Sequence, residues 1–196
     1  MKARRRLAVA LLSLAFAACG GEAPKKAGPP QVTGFASLPW GTSSDSAVKA
    51  LGRPQRTDTV YPGTVALTWP RKIQDDSAGM SLIFHGGDGL VQGNYGFTVW
   101  SPEKCRRVME MVRRSIATRY PALEPRPFRD GDGRAQPCEP SPDRSSSVHT
   151  RWEDPANGAS IVLFSRDTVD VQVIYMSKRG HDLTAQDSAR EARKDF

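Results

Sequence analysis

The chain has little of what catalysis and metal binding usually draw on. Only three histidines and three cysteines occur among 196 residues. His85, His149 and His181 are scattered, and none is paired with a second ligand at helical or hairpin spacing. That excludes a metal site built on a His pair. Cys105 and Cys138 are not in a C-x-x-C arrangement, which argues for structural rather than redox use. No serine lies in a G-x-S-x-G elbow. Asp130-Gly131-Asp132-Gly133 opens like a calcium loop but lacks the third acidic residue and the bidentate Glu at the twelfth position. No cofactor fingerprint is present. Beyond the first 18 residues there is no second long apolar run, so nothing else is expected to span a bilayer.

What is present is clearest at the start. Lys2, Arg4, Arg5 and Arg6 precede an apolar stretch, residues 7–18, of about twelve residues, too short to cross a membrane. It closes on Ala17-Ala18 directly before Cys19. A basic start, a short apolar centre and a small-residue exit make a secretory signal. The small pair before Cys19 resembles the lipobox of bacterial lipoproteins, with Phe16 where Leu is usual. The resemblance implies cleavage before Cys19 and acylation of its thiol and new amino group. The plainer alternative is an ordinary signal peptide with a chance cysteine. Removing residues 1–18 takes away four of the 28 Lys and Arg and none of the 21 Asp and Glu, so the net charge falls from +7 to +3. So small an excess on an exported chain argues against nucleic acid as a partner.

Residues 19–34 form the expected lipidated tether, whose Gly-, Pro- and Lys-rich part, residues 20–33, reaches roughly 40 Å if extended at ~3.1 Å per residue. A domain over 35–177 follows, then a polar tail over 178–196 with weak helical tendency. Ser43, Ser44 and Asp45 can cap a first helix over 44–51, Ala47, Val48 and Leu51 have helical spacing, and Gly52 and Pro54 stop it. Strand-like runs occupy 57–69, 80–84 and 90–100; the first is interrupted by Pro62-Gly63, as a bend or a hairpin. A second helix is predicted over 102–119, capped by Ser101 and started by Pro102. Cys105, Val108, Met109, Val112, Ile116 and Tyr120 share one arc, and Arg106, Arg107, Arg113 and Arg114 the other. Residues 121–146 lack any apolar period and read as a long loop, either disordered or stapled through Cys138. Runs at 148–153, 159–164 and 169–176 close the domain.

Two helices, each followed by three strands with short turns, predict an α+β fold. The expected architecture is an antiparallel sheet of about six strands, αβββ-αβββ, with both helices on one face. Gly41-Thr42-Ser43, Val48, Leu51-Gly52 and Pro54 resemble the opening of the SmpA/OmlA family, small lipoproteins of the outer-membrane protein assembly machine. The strand at 64–69 and the hairpin at 82–90 are similar to that plan, and to the β-lactamase-inhibitor type of repeat, over residues 39–97. The resemblance implies an envelope location.

The sequence-level expectation is therefore a non-enzymatic, exported lipoprotein, held to membrane lipid through acylated Cys19. The periplasmic face of an outer membrane is favoured over an inner membrane. An envelope protein is the expected partner; a small-molecule or lipid-binding module is the alternative. Arg106, Arg107, Arg113 and Arg114 are candidates for an anionic surface, set against the plainer reading of a solvated helix face. Cys105 and Cys138 are expected to form a structural disulfide, which export permits, with two free thiols as the plainer alternative. Of Trp40, Trp69, Trp100 and Trp152, any left exposed would mark a partner-binding edge.

Overall fold

The computed structural model describes residues 30–129, 138, 148–166 and 170–192. The signal segment, Cys19 and the calcium-like run at 130–133 lie outside the described residues. Each half of the domain begins with a helix whose ends are written locally. Ser43 caps α1 (Ser44–Leu51) by accepting from the Ser46 N–H, and Gly52 closes it at φ 85°, donating to the Val48 carbonyl. Ser101 caps α2 (Pro102–Arg119) by accepting from the Lys104 N–H, with Pro102 in the first turn.

Four strands follow each helix, not three. After α1 come β3 (Arg56–Tyr61), β4 (Thr64–Ile73), β5 (Asp76–His85) and β6 (Gly89–Thr98). After α2 come β7 (Arg126–Arg129), β8 (Val148–Glu153), β9 (Ser160–Arg166) and β10 (Asp170–Met176). The fold is α+β, as expected, but the sheet has eight strands rather than about six, and each half is αββββ rather than αβββ. Two features account for the difference. Pro62-Gly63 makes a hairpin rather than a bend, with Gly63 at φ 78°, so one run becomes β3 and β4. And β7 forms at the sheet edge from Arg-Pro-Phe-Arg, which has no apolar alternation and tolerates Pro because only one flank is paired. Pro70 is accommodated similarly inside β4: it lies beyond the Arg56–Thr68 pair that ends β3, so its missing N–H leaves no ladder bond unmade on that side.

The strand order is β3-β4-β5-β6-β10-β9-β8-β7, and every pairing is antiparallel. Two four-strand meanders thus meet through their last strands, Phe97 opposite Val171 and Tyr95 opposite Val173. Strand alternation sends Trp69, Met80, Leu82, Phe97, Val173, Leu163 and Trp152 to one face. Both helices cover it. Val108, Val112 and Ile116 of α2 are buried in a cluster with Ile161, Leu163, Val171 and Val173. Ala47 of α1 is buried in a second cluster with Leu67, Met80 and Leu82, while Val48 and Leu51 only flank it. Trp40, Tyr95 and Tyr175 touch both clusters.

The packed domain includes residues before the expected boundary at 35. Val32, within the expected tether, is buried; its N–H donates to Asp154 Oδ2 at 2.8 Å and its carbonyl accepts from Trp40 Nε1 at 2.8 Å. A two-stranded hairpin, β1 (Gly34–Phe35) and β2 (Leu38–Pro39), follows. The expected polar tail is likewise a helix, α3 (Lys178–Ala192). Gly180 lies against Met176 and the Val91 carbonyl, and His181 Nε2 meets Ser160 Oγ at 2.8 Å. Met176, Ser160 and Gln92 are register partners on the face opposite the first two helices, so α3 docks on the reverse side.

Candidate functional site

The sequence-predicted residues do not converge on one place. Cys105 and Cys138 are joined as a disulfide, with Cα atoms 5.5 Å apart. Both are buried, and the Cys138 N–H donates to Ser165 Oγ at 3.2 Å, so the bridge ties the start of α2 to β9. The four arginines of α2 singled out in the sequence spread over separate partners. Arg106 pairs with Glu103, Arg114 with Glu110, and Arg107 with Asp76 at 3.0 Å, while Arg113 donates to Thr150 Oγ1. What they present outward is an ion-paired surface. His85 Nδ1 sits 2.9 Å from Asp88 Oδ2, which Arg179 also approaches at 3.0 Å. The Arg179 guanidinium holds the Asp88 carboxyl below its usual range. The His181–Ser160 contact is closed to solvent at Ser160, which is 1 % exposed, and it latches α3 to β9. The His149 side chain lies outside the described residues. Among the described residues no group of three or more His, Cys, Asp or Glu is placed to hold a metal. No described helix is long and apolar enough to cross a membrane.

Two features stand out once the chain is folded. The first is a cavity of about 300 Å³ on the helix-covered face, under the β1–β2 hairpin. Its construction depends on glycine. Phe35 lies directly on Gly93, where a Cβ would collide with the ring, and stacks on Tyr95 and Tyr175 at centroid distances of 4.7 and 5.1 Å. The hairpin tip, Ala36-Ser37, holds φ of 50° and 67°, a conformation that costs non-glycine residues energy. Met80 and Leu51 supply apolar wall; Arg71, Arg119 and the phenols of Tyr95, Tyr120 and Tyr175 supply polar groups. Arg71 is unusual in its place: register puts it opposite Ala78, on the face that otherwise builds the core. Neither arginine has a carboxylate within ion-pair distance among the described residues, and Arg119 lies over the Tyr120 ring at 5.6 Å. Burial pushes the three phenols up, most of all Tyr175, with both arginines pulling Tyr95 the other way. Sequence reading missed this group because its members come from four elements with no shared motif. Arg71 itself lies just past the expected strand at 57–69, so no local signal marked it.

The second feature is on the reverse face. Gly79 and Gly96 are cross-strand partners on β5 and β6, and nothing lies within 4 Å of where a Cβ would stand at either. This bare floor belongs to a cleft of about 520 Å³ bordered by Pro70, Thr98, Lys104 and Trp100. Trp100 is 77 % exposed, the largest exposure among the large hydrophobic residues described. Trp40, Trp69 and Trp152 are all wholly or partly buried in the two clusters. The β3 edge also shows Val60 and Tyr61 to solvent, but a bulge between Thr59 and Tyr61 and an Arg56–Asp58 ion pair blunt it against strand addition. No protein-family model, no characterised protein and no solved structure matches this chain.

Proposed function

We propose that this is an exported, lipid-anchored, non-enzymatic domain that holds a protein partner at a membrane surface of the cell envelope. The supporting observation is Trp100 standing free beside the bare Gly79–Gly96 floor. A large rigid aromatic left in water beside a concave floor is the usual anatomy of a binding hot spot. The resemblance of the N-terminal segment to a lipoprotein signal supplies the location, with Cys19 as the proposed anchor. Site-specific photocrosslinking tests the reading. A photoreactive residue at Thr98, on the cleft rim, should give a discrete protein adduct in intact membranes, and Trp100→Ala should remove it. The same residue at Lys49, on the solvent side of α1, should not give that adduct. Absence of the adduct, or its persistence in Trp100→Ala, refutes the reading. A second reading, a small-molecule-binding envelope protein, is favoured by the cavity under the β1–β2 hairpin.

A further inference from the structure

We infer that the cavity beneath the β1–β2 hairpin is a binding site for a phosphate or phosphomonoester group, held by Arg71, Arg119 and the hydroxyls of Tyr95, Tyr120 and Tyr175. The inference rests on the second reading above and is independent of the Trp100 cleft. Its first support is charge. Two guanidiniums line a small cavity whose lining contains no carboxylate. One of them, Arg71, projects from the face of the sheet that packs the core, where an unpaired cation is costly. Arg71 is half-buried and Arg119 exposed, and with no acid partner among the described residues both guanidiniums are free to meet an anion. Two such cations match a dianion better than a monocarboxylate.

The second support is donor chemistry. Guanidinium forks match tetrahedral oxyanions, and phenol hydroxyls add further donors. Among the described residues neither Tyr95 nor Tyr175 has a hydrogen-bonded partner for its hydroxyl, so both donors are unspent. Burial keeps all three phenols protonated, hence able to donate, throughout the physiological range. The third support is construction. The hairpin that roofs the cavity is held in a costly positive-φ turn and is seated by Phe35 on Gly93. Such strain is commonly retained where a ligand site needs it. The volume, about 300 Å³, is at the low end for ligand sites and suits a headgroup-sized molecule rather than an acyl chain.

The same chemistry could come from free phosphate or from a phosphomonoester lipid headgroup beside the anchor. Calorimetric titration of the purified full chain separates them. Inorganic phosphate and glycerol 3-phosphate should each bind with one-to-one stoichiometry, and acetate at least about tenfold more weakly. Arg71→Met and Arg119→Met should each weaken phosphate binding by about tenfold or more, the loss expected for a charge-assisted hydrogen bond. Tyr175→Phe, which leaves the ring packing in place, should weaken it severalfold. Arg106→Met, outside the cavity, should change nothing. Glycerol 3-phosphate binding more tightly than phosphate, and displacing the protein from phosphatidic acid vesicles, assigns the headgroup; the reverse order assigns free phosphate. Equal affinity in wild type, Arg71→Met and Tyr175→Phe overturns the site, as does acetate binding as tightly as phosphate. In the latter case a small-ligand function survives with a different ligand. No binding by any of these probes overturns both.

Discussion

At the scale of single residues, the positions that matter most are those whose neighbours are distant in sequence. Gly93 is the sharpest case. In the sequence it is one glycine of a β-run; in the fold it is the seat of the Phe35 ring. Gly93→Ala should therefore unseat the β1–β2 hairpin and destabilise the domain by about 1–3 kcal/mol, in the range of core overpacking. Urea denaturation measures the cost, and a Phe35→Ala variant should absorb most of it in a double-mutant cycle. A Gly93→Ala protein as stable as wild type would show that the ring has room to move. Arg71 makes the same point in reverse. The expected strand stopped at residue 69; the structure carries it on to Ile73, and register against Ala78 places Arg71 among core-facing residues.

At the scale of elements, what could be read tracks how local the signal is. The bounds of α1 and α2 follow from Ser43, Gly52, Ser101 and Pro102, each acting within one turn. By contrast β7 and α3 carry little apolar pattern and form because something else is there to receive them. For α3 that is the Ser160–His181 contact and the close approach at Gly180. Burial first, and Arg151 next, push the His181 imidazole below its ordinary value, with Lys178 adding to this and Asp182 and Glu153 opposing it. The undocked imidazole takes a proton from about pH 6.5 downwards, the docked one only at lower pH. Docking of α3 is therefore undiminished above that pH and weakens as pH falls through the docked value. Hydrogen exchange of the amides in 181–190, corrected for intrinsic rates, should show faster opening at pH 5.5 than at 7.5, and His181→Gln should flatten the difference. The disulfide acts at the same scale. Cys105 and Cys138 are 33 positions apart, a closure the chain-entropy model values at roughly 3–4 kcal/mol less any strain. Reduction, or Cys105→Ser with Cys138→Ser, should lower the melting temperature and loosen the link from α2 to β9. An unchanged melting temperature would mean that the bridge adds no stability.

At the scale of the whole molecule, the two halves share one plan, helix then four-strand meander, and join through β6 and β10. The proposed anchor extends this plan to the membrane: Cys19→Ala should move the protein from the membrane fraction to the soluble fraction, and mass spectrometry of the wild type should find acylated Cys19. An unmodified Cys19 in the mature protein would remove the tethered reading while leaving the domain intact. The amino-acid sequence by itself determined the fold class, the places of α1 and α2 and the antiparallel hairpins. It also singled out Cys105 and Cys138 as the residues available to pair. Caps, stops and alternation are properties of a few neighbouring residues, so they survive without knowledge of the rest. Only the tertiary structure decided that the last strands of the two meanders pair, that β7 completes an eighth strand, and that Trp100 stays outside. It alone brings Arg71, Arg119, Tyr95 and Tyr175 around one cavity. Those outcomes depend on which apolar surfaces are left once the local units have formed, and that competition is settled only between segments far apart in the chain.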